Sequence, residues 1–571
     1  MKIKILPAPI NTTPGDFQGN FQKIIGKIDE AILKSCDMVV FPELSIPGYL
    51  SCDMMFKKSY VKKNITILHD IMEKSIECPS LYIVVGYIDK NTTGVGKPFK
   101  NRLAVINDGG IIGVYDKHLL PFFDVFDEAR YYEPGSDHLV LTIKDTKFGF
   151  TICEDIWNDK NQDDYNYKHN PIQYYKNIGV NTIVNISSSP YVKDKLTKKI
   201  TMLNKISKSN KVNIVYVNQY GGQDELVFNG DCYLIKHNSV TDSQYYFENN
   251  NKLPFDCFIL DKFNGGFIQK QQQPKPDHLL FDMLVLGLRD YITKTGFKRV
   301  VLGSSGGIDS AVVLALACEA IGPENVYAVM MPSIYSSGDS VNDAKKLHEA
   351  FGCNEFEVPI EHMPLLENIN CNFNSNEMEN YNQVADENIQ ARLRGLIIMH
   401  YSNASGAMAL TTGNKTENAV GYCTLYGDTN GGFNPIKDLY KTEVFNIARY
   451  FNNKYRKEMI PLNIINKPPT AELKPDQTDE ASLMPYELLD ILVQEYIESY
   501  IDNFDMFLKK HRQLVLKHFD DIEKASSEYS RIIRLIDLAE YKRRQTAPGV
   551  KVSSVAFGTG RRLPIVSKKG N

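Results

Sequence analysis

A turn rich in glycine and serine, residues 303–310, has side chains and backbone suited to binding a phosphate. It follows an apolar run at 299–302 that predicts a buried strand, and it precedes an apolar stretch at 311–317 that predicts a helix. Such a turn presents backbone N–H groups and the positive end of a helix dipole to an anion. Asp309 adds an oxygen suited to Mg²⁺. An ordinary glycine turn in an α/β domain is the alternative.

Three residues in the first half of the chain, Glu43, Lys117 and Cys153, have the chemistry of a nucleophilic site. Each lies at the end of a predicted strand, where α/β folds display reactive groups. A thiol attacks as its thiolate, a carboxylate can take the thiol proton, and an ammonium can stabilise the oxyanion that follows. Taken singly, such a cysteine is more often a core residue, and such charged residues lie on the surface.

The elements that must position these residues alternate between β-rich runs and helical stretches from residue 1 to about 262, which predicts a layered α/β domain. Strands are predicted at 38–41, 81–86, 102–106, 148–153, 182–186 and 213–217, and a helix at 20–33. A polar segment at 263–278, interrupted by glycine and proline, predicts a linker. A second domain then spans 279–571 and begins with a helix at 279–295.

The composition excludes several classes of protein. With 571 residues, 43% hydrophobic and 23% charged, the chain is expected to form two soluble globular domains. A net charge of −4 gives no reason to expect nucleic acid as a partner. No window is apolar enough for a membrane span, and the ten cysteines lack metal-like or paired spacing. We therefore expect a cytoplasmic protein without a membrane partner.

The segments around the three candidate residues, at 41–49, 115–121 and 152–157, resemble motifs of the nitrilase superfamily. The resemblance implies an α-β-β-α sandwich at 1–262 in which Glu43, Lys117 and Cys153 hydrolyse a C–N bond through a thioester. Glu128 matches a second glutamate that positions the lysine in many members.

In the branch of that superfamily that uses glutamine, a Ser-Pro-Tyr segment followed by a lysine contacts the substrate. Ser189 and Lys195 match this pattern. Phe123 stands where the branch often has tyrosine, so an aromatic contact is retained while a hydroxyl hydrogen bond is lost. The resemblance thus implies a glutamine site at Phe123, Ser189 and Lys195.

The glycine-rich turn lacks the lysine of a Walker loop and resembles the pyrophosphate loop of ATP pyrophosphatases, which include GMP, asparagine, argininosuccinate and NAD synthetases. The segments that follow it decide among these enzymes. They resemble NAD synthetases in order, at 388–394, 409–417, 426–428, 434–441, 467–473, 477–483, 541–544 and 561–565. The first of these segments, 388–394, is predicted to open a helix. The resemblance implies a doubly wound parallel sheet of the adenine nucleotide α hydrolase type.

The same resemblance assigns residues to ligands. ATP is expected to contact Gly303, Ser304, Ser305, Gly306, Gly307, Ile308, Asp309, Ser310, Thr412, Lys441 and Thr470. Deamido-NAD is expected to contact Asn388, Arg392, Glu417 and Lys542. Mg²⁺ is expected at Asp309 and Glu417. Thr470 departs from the family, where serine is common.

Over nearly its whole length the chain resembles the family of glutamine-dependent NAD synthetases. This implies ATP-dependent amidation of deamido-NAD, through an adenylate, by ammonia that glutamine supplies along a shielded route. It also implies a homo-oligomer with small-molecule substrates. Two alternatives remain open: an ATP-dependent amide synthetase with another carboxylate acceptor, and a regulatory protein that has kept the folds but lost the chemistry.

Overall fold

The computed structural model describes residues 2–159, 167–237, 242–244, 257–261, 275–373, 378, 381–475 and 477–566. The chain divides into two compact units, Met1–Pro274 and Lys275–Asn571. Most of the predicted linker at 263–278, namely residues 263–274, lies outside the described residues.

The first unit contains two six-stranded sheets of similar construction. One has the order β14-β1-β2-β3-β4-β5, and the other has the order β13-β12-β9-β8-β7-β6. In each, three central strands run parallel and the outer strands are antiparallel. A separate hairpin pairs β10 with β11. The strands are β1 Lys2–Pro7, β2 Met38–Val40, β3 Tyr82–Lys90, β4 Phe99–Asn107, β5 Gly110–Asp116, β6 Val140–Ile143, β7 Thr146–Ile152, β8 Thr182–Ser187, β9 Asn213–Asn218, β10 Tyr220–Gln223, β11 Leu226–Asn229, β12 Cys232–Ile235, β13 Asp242–Gln244 and β14 Phe258–Asp261.

Alternation along the strands of the second sheet explains the layering, because successive side chains point to opposite faces. Val184 and Ile186 of β8 join the core that contains the first sheet. Ile183 of the same strand packs instead with Ile172 and Leu203 of the helices outside. The result is the α-β-β-α sandwich expected from the sequence. The helices of this unit are α1 Phe17–Leu33, α2 Lys58–Ile76, α3 Pro171–Asn177 and α4 Lys195–Asn210, with 3₁₀ turns at Cys52–Phe56, Glu128–Arg130 and Cys153–Asp159.

The second unit is built on a parallel sheet of four strands in the order β17-β16-β15-β18. Its strands are β15 Val300–Gly303, β16 Val326–Met330, β17 Asn354–Glu357 and β18 Met408–Leu410. Because β16 and β18 lie on opposite sides of β15, the strand order reverses there, and ligands in such sheets bind beyond the carboxyl end of that strand. The predicted phosphate-binding turn occupies that position.

Helices pack against this sheet, and further helices follow it along the chain as far as Arg543. They are α5 Pro276–Lys294, α6 Ile308–Ile321, α7 Gly338–Phe351, α8 Met363–Asn370, α9 Val384–Ser405, α10 Lys415–Val420, α11 Lys441–Tyr455, α12 Leu462–Asn466, α13 Asp479–Ser482, α14 Tyr486–Glu498, α15 Phe504–His518, α16 Ile522–Leu538 and α17 Glu540–Arg543, with a 3₁₀ turn at Pro323–Asn325. No helix among the described residues is both long and apolar enough to cross a membrane.

Four helices begin earlier than the sequence indicates. The helix predicted at 20–33 is α1 and begins at Phe17, and the helix predicted at 311–317 is α6 and begins at Ile308. α5 begins at Pro276 and not at residue 279, because proline has no N–H to leave unpaired and is favoured in the first helical turn. α9 begins at Val384, so Asn388 lies inside the helix and does not open it.

Candidate active sites

The centre of the first site is a buried lysine held between two carboxylates. Lys117 follows β5 directly, and its Nζ lies 2.7 Å from Glu43 Oε1 and 2.8 Å from Glu128 Oε1. The side chains of Lys117 and Glu43 are 0% exposed. Although burial acts to lower it, the carboxylates of Glu128 and Glu43 raise the pKa of Lys117 well above its ordinary value. The lysine is therefore a fixed cation.

Further hydrogen bonds orient both carboxylates. Glu43 accepts from Asn101 Nδ2 at 2.7 Å and from the Ser188 backbone N–H at 3.0 Å. Glu128 accepts from Tyr49 Oη at 2.9 Å. Asn101 and Tyr49 had no assigned role in the sequence, since nothing in their spacing shows that they face these carboxylates. With its donors in place, Glu43 has a fixed position.

Cys153 lies beside this array at the start of a sharp turn. β7 ends at Ile152, and Cys153 takes a left-handed conformation with φ of 43°, which is uncommon for a residue other than glycine and marks functional sites. Burial, with a further contribution from Glu43, raises the pKa of the Cys153 thiol, while Lys117 opposes the shift. The group is thus a thiol at neutral pH and needs a base in order to attack.

Asp155 fixes this turn against the segment that carries the lysine. Its Oδ1 accepts from the backbone N–H groups of His118 and Leu119, which directly follow Lys117. Its Oδ2 accepts from the Ile152 N–H and from Tyr115 Oη. The carboxylate joins two segments that are distant in sequence. Its place two residues after Cys153 was visible in the sequence, but its partners were not.

Ser189, predicted to bind glutamine, lies next to Ser188, whose N–H donates to Glu43. The amide of Asn218 holds Ser189 on both sides: Oδ1 accepts from its N–H at 2.9 Å, and Nδ2 donates to its carbonyl at 3.0 Å. Ser189 is therefore held in place directly after Ser188, the residue whose backbone N–H donates to Glu43.

Lys195 and Phe123, the other predicted glutamine contacts, have different surroundings. Lys195 opens α4, and its Nζ lies 5.5 Å from the ring centre of Trp157, four residues after Cys153. This contact ties Lys195 to the turn that holds the thiol. Phe123 is half-buried and packs edge-on against Phe126, with ring centres 5.7 Å apart. A glutamine contact for Phe123 stays a prediction.

In the second unit, the predicted phosphate-binding turn joins β15 to α6. Gly306 has a φ of 73°, and a Cβ there would lie 2.1 Å from the Ser340 carbonyl oxygen, so only glycine fits. Ser310 Oγ donates to the Gly307 carbonyl at 3.0 Å, and the Ser305 N–H donates to Ser310 Oγ at 3.3 Å. These contacts keep the turn compact at the amino end of α6.

A cavity of about 290 Å³ opens beside the turn. Gly303, Ser304, Ser305, Ser310 and Thr412 from the predicted ATP set line it. A smaller cavity of about 130 Å³ adjoins Ser305, Gly307 and Ile308, and is lined also by Thr470. The structure thus brings most of the predicted ATP residues to two neighbouring spaces.

A second lysine lies between two carboxylates at this site. Lys441 Nζ is 2.6 Å from Asp309 Oδ2 and 2.9 Å from Glu417 Oε1. Asn414 caps α10 and donates from Nδ2 to Asp309 Oδ1 at 2.9 Å. Burial raises the pKa of Glu417 to about 8, although Lys441 opposes the shift.

The two carboxylates fit the predicted Mg²⁺ site. Asp309 and Glu417 converge on one positive charge, and their hard oxygens suit this ion. Among the described residues no cluster of three or more potential metal ligands occurs. Mg²⁺ is commonly bound by one or two carboxylates together with substrate phosphates, so a pair suffices.

Three residues predicted to contact deamido-NAD all hold the segment 421–425, which follows α10. Asn388 Oδ1 accepts from Thr424 Oγ1 at 2.6 Å, and Arg392 Nε donates to the Leu425 carbonyl at 3.3 Å. Lys542 Nζ donates to the carbonyls of residues 421 and 423, each at 2.8 Å. The structure brings them together around one segment, while their ligand stays a prediction.

Arg394 is a candidate that the sequence reasoning missed. It lines the larger cavity and donates from Nε to the Met331 carbonyl at 3.1 Å, whereas Arg392 is exposed. Burial lowers the pKa of Arg394 to about 10. Residues two apart on a helix point in different directions, so a helical projection of α9 places Arg392 and Arg394 on different faces.

Comparisons with known proteins match both parts of the chain to known families. Residues 280–546 match the NAD synthase family, and residues 6–240 match the carbon-nitrogen hydrolase family. The glutamine-dependent NAD(+) synthetase of Thermotoga maritima is 37% identical, with 99% of each chain covered. That of Acinetobacter baylyi is 37% identical over 99% of this chain and 98% of its own. This chain belongs to the glutamine-dependent NAD(+) synthetases.

A solved glutamine-dependent NAD(+) synthetase, that of Acinetobacter baumannii in complex with adenosine diphosphate, is similar to this chain over nearly its whole length. It is 34% identical, 99% of each chain is covered, and the TM-score is 0.74. The enzyme of Cytophaga hutchinsonii, 20% identical with a TM-score of 0.79, shares the fold. The carbon-nitrogen hydrolase part of the chain comes first and carries Cys153, and the NAD synthase part follows and carries the 303–310 turn.

Proposed function

We propose that this chain converts deamido-NAD to NAD with ATP, taking the nitrogen from glutamine. The observation that carries the proposal is the presence of two different reactive centres in one chain. One is a buried thiol with a carboxylate and a fixed ammonium, and the other is a phosphate-type turn with two carboxylates. The first suits hydrolysis of an amide, and the second suits transfer of a nucleotide.

At the first site, Cys153 attacks the carboxamide carbon of glutamine while Glu43 takes the thiol proton. Lys117 stabilises the oxyanion that develops on the amide oxygen, because a cation fixed in a buried site stabilises new negative charge strongly. Glu43 returns this proton to the amide nitrogen as the adduct collapses, so that ammonia leaves and a thioester remains. Water then attacks the thioester and releases glutamate. Ser189 and Lys195 orient the substrate, and Glu128 positions the lysine.

At the second site, the carboxylate of deamido-NAD attacks the α-phosphorus of ATP, giving an adenylate and pyrophosphate. Backbone N–H groups of the 303–310 turn and the positive end of α6 bind the phosphates. Lys441, Thr412 and Thr470 complete the ATP site, and Asn388, Arg392, Glu417 and Lys542 hold the dinucleotide. Ammonia then displaces AMP and forms the amide.

Asp309 and Glu417 would hold Mg²⁺, which when bound offsets the negative charge of the phosphates. For both carboxylates to bind it, the Lys441 ammonium that now contacts them must move. A displaced ammonium would pair with a phosphate group, which agrees with the predicted contact between Lys441 and ATP.

The test follows atoms through the reaction. The purified chain is incubated with ATP, Mg²⁺, deamido-NAD and glutamine labelled with ¹⁵N at the amide. The masses of the products are then measured by mass spectrometry. We expect NAD one mass unit heavier, with AMP, pyrophosphate and glutamate. Pyrophosphate release with another carboxylic acid but not with deamido-NAD would assign a different acceptor, and no turnover with any acid would indicate a regulatory protein.

A further inference from the structure

Three side chains form a hydrogen-bonded series that links strand β17 and helix α7 to the phosphate-type turn. Glu355 Oε2 lies 2.9 Å from His348 Nδ1, and His348 Nε2 lies 2.8 Å from Ser304 Oγ. The His348 side chain is 1% exposed, whereas that of Glu355 is 36% exposed. The hydrogen-bonded series therefore runs from a half-exposed carboxylate, through a buried imidazole, to the first residue after β15.

The direction of these hydrogen bonds follows from what each group can donate. A carboxylate has only lone pairs, so Nδ1 of His348 carries the hydrogen. Burial lowers the pKa of His348 although Glu355 opposes the shift, so the ring is neutral at pH 7 and Nε2 is an acceptor. Ser304 must then donate its hydroxyl hydrogen to Nε2, and its backbone N–H is already given to the Val329 carbonyl.

This arrangement conflicts with phosphate binding. Ser304 lines the cavity beside the turn, where ATP phosphates are proposed to bind. With its hydrogen directed to His348, the hydroxyl presents lone pairs to phosphate oxygens, which are also acceptors. Two acceptors repel each other, so the hydroxyl assists ATP only after its hydrogen is released.

We propose that His348 is a positioning residue that sets whether Ser304 donates to the phosphates of ATP, and that ATP binding is coupled to uptake of one proton by this ring. The proton comes from solvent and adds to Nε2. Nε2–H then donates to Ser304 Oγ, the hydroxyl hydrogen turns to a phosphate oxygen, and the Nδ1–H bond to Glu355 persists. The inference rests on the proposed placement of ATP on the 303–310 turn.

The charges around the ring favour such a coupling. Glu355 is the charged group that acts on His348 within the described part of the chain. Other titratable groups on α7 and on the elements packed against it are Asp309, Cys318 and Glu319 on α6, Tyr327 on β16, Glu357 on β17, and Asp339, Asp343, Lys345, Lys346 and Glu349 on α7 itself. The polyphosphate of ATP adds negative charge near the ring and so favours its protonated form.

Calorimetry can count the proton. ATP with excess Mg²⁺ is titrated into the full chain at pH 6 to 8 in two buffers of different ionisation enthalpy, and the difference in heat gives the protons taken up. We expect uptake approaching one proton, with a Kd that weakens by up to about ten-fold per pH unit where uptake is complete. His348→Gln, which donates to Ser304 without titrating, should abolish the uptake and flatten this dependence. The matched His400→Gln, at an exposed site, should preserve both.

Glu355→Gln tests the same coupling at a half-exposed position, where misfolding is of less concern. Loss of the negative charge should reduce proton uptake at pH 7 and raise the KM for ATP with kcat retained. Wild-type binding without proton uptake, or undiminished uptake by His348→Gln, would overturn the inference while leaving the ATP site in place. Gly306→Val separates the two proposals, because unchanged ATP binding by that variant would refute the ATP site itself.

Discussion

Each of the two sites holds a lysine between two carboxylates, and the surroundings of the lysine differ. Around Lys117 all groups are buried, and Asn101 and Ser188 fix Glu43 further. Around Lys441 the side chains of Asp309 and Glu417 are 18% and 16% exposed, and Asp309 directly precedes Ser310, which lines the larger cavity. The same ion-pair motif is enclosed in the first site and partly exposed in the second, where the proposed chemistry requires the carboxylates for Mg²⁺.

Replacing the thiol should separate the two sites most sharply. Cys153→Ala should lower glutamine-supported NAD synthesis by at least about a thousand-fold, because the nucleophile is lost. Synthesis from a high concentration of ammonium should persist. Cys52→Ala, an exposed cysteine that also has a positive φ, is the matched control. Equal loss with both nitrogen sources in a folded variant would contradict the assignment of two sites.

Replacing Asp309 should affect both nitrogen sources. Asp309→Ala removes one carboxylate of the proposed Mg²⁺ site, and we expect a loss of about a hundred-fold or more with glutamine and with ammonium alike. Asp309→Asn, which keeps the size of the side chain and loses its charge, should behave in the same way, and Asp339→Ala on an exposed part of α7 should not. Mg²⁺-dependent turnover retained by Asp309→Asn would argue against the metal role.

Replacing each lysine tests how much its ion pairs contribute to the free energy of unfolding. Lys117→Met leaves two buried carboxylates without their cation and should lower the free energy of unfolding by about 3–5 kcal/mol. Lys441→Met should cost less, since its partners are partly exposed, and added Mg²⁺ should recover part of the loss. Thermal melting with and without Mg²⁺ measures both. Equal destabilisation of the two variants, unaffected by Mg²⁺, would remove the distinction between the sites.

A smaller effect is expected from Glu128. Burial raises the pKa of Glu128 from 4.5 to about 7, although Lys117 opposes the shift. The folded chain therefore retains a proton that the unfolded chain releases, and this contribution to stability is lost as the pH rises from about 4.5 to 7. Glu128→Gln should show a shallower decline of the melting temperature across that window. A decline as steep as that of the wild type would contradict the raised pKa.

Local patterns predicted most of the secondary structure near the sites. The runs at 38–41, 148–153 and 182–186 correspond to β2, β7 and β8, and the apolar run at 299–302 corresponds to β15. These strands are buried on both faces, so their sequences are continuously apolar and easy to recognise. Helix starts were predicted a few residues too late, as α1, α5, α6 and α9 illustrate.

Contacts between distant residues were beyond such patterns. Cys36 and Cys257 are separated by 221 positions, yet their Sγ atoms lie 3.1 Å apart. Asp155 and Arg394 stood within segments that were recognised, but their partners became visible only in the fold. A spacing rule predicts which residues are neighbours on one helix or strand, whereas these contacts depend on how different helices and strands pack together.

The amino-acid sequence alone determined the 303–310 turn, the candidate thiol and the family motifs, because glycine, proline and alternating apolar residues act over a few neighbours. Only the tertiary structure decided that Glu43, Lys117 and Glu128 form one ionic array, and that Lys441 lies between Asp309 and Glu417. It alone placed His348 against Ser304. Those pairings join residues from 11 to 132 positions apart, and packing of whole sheets and helices sets them.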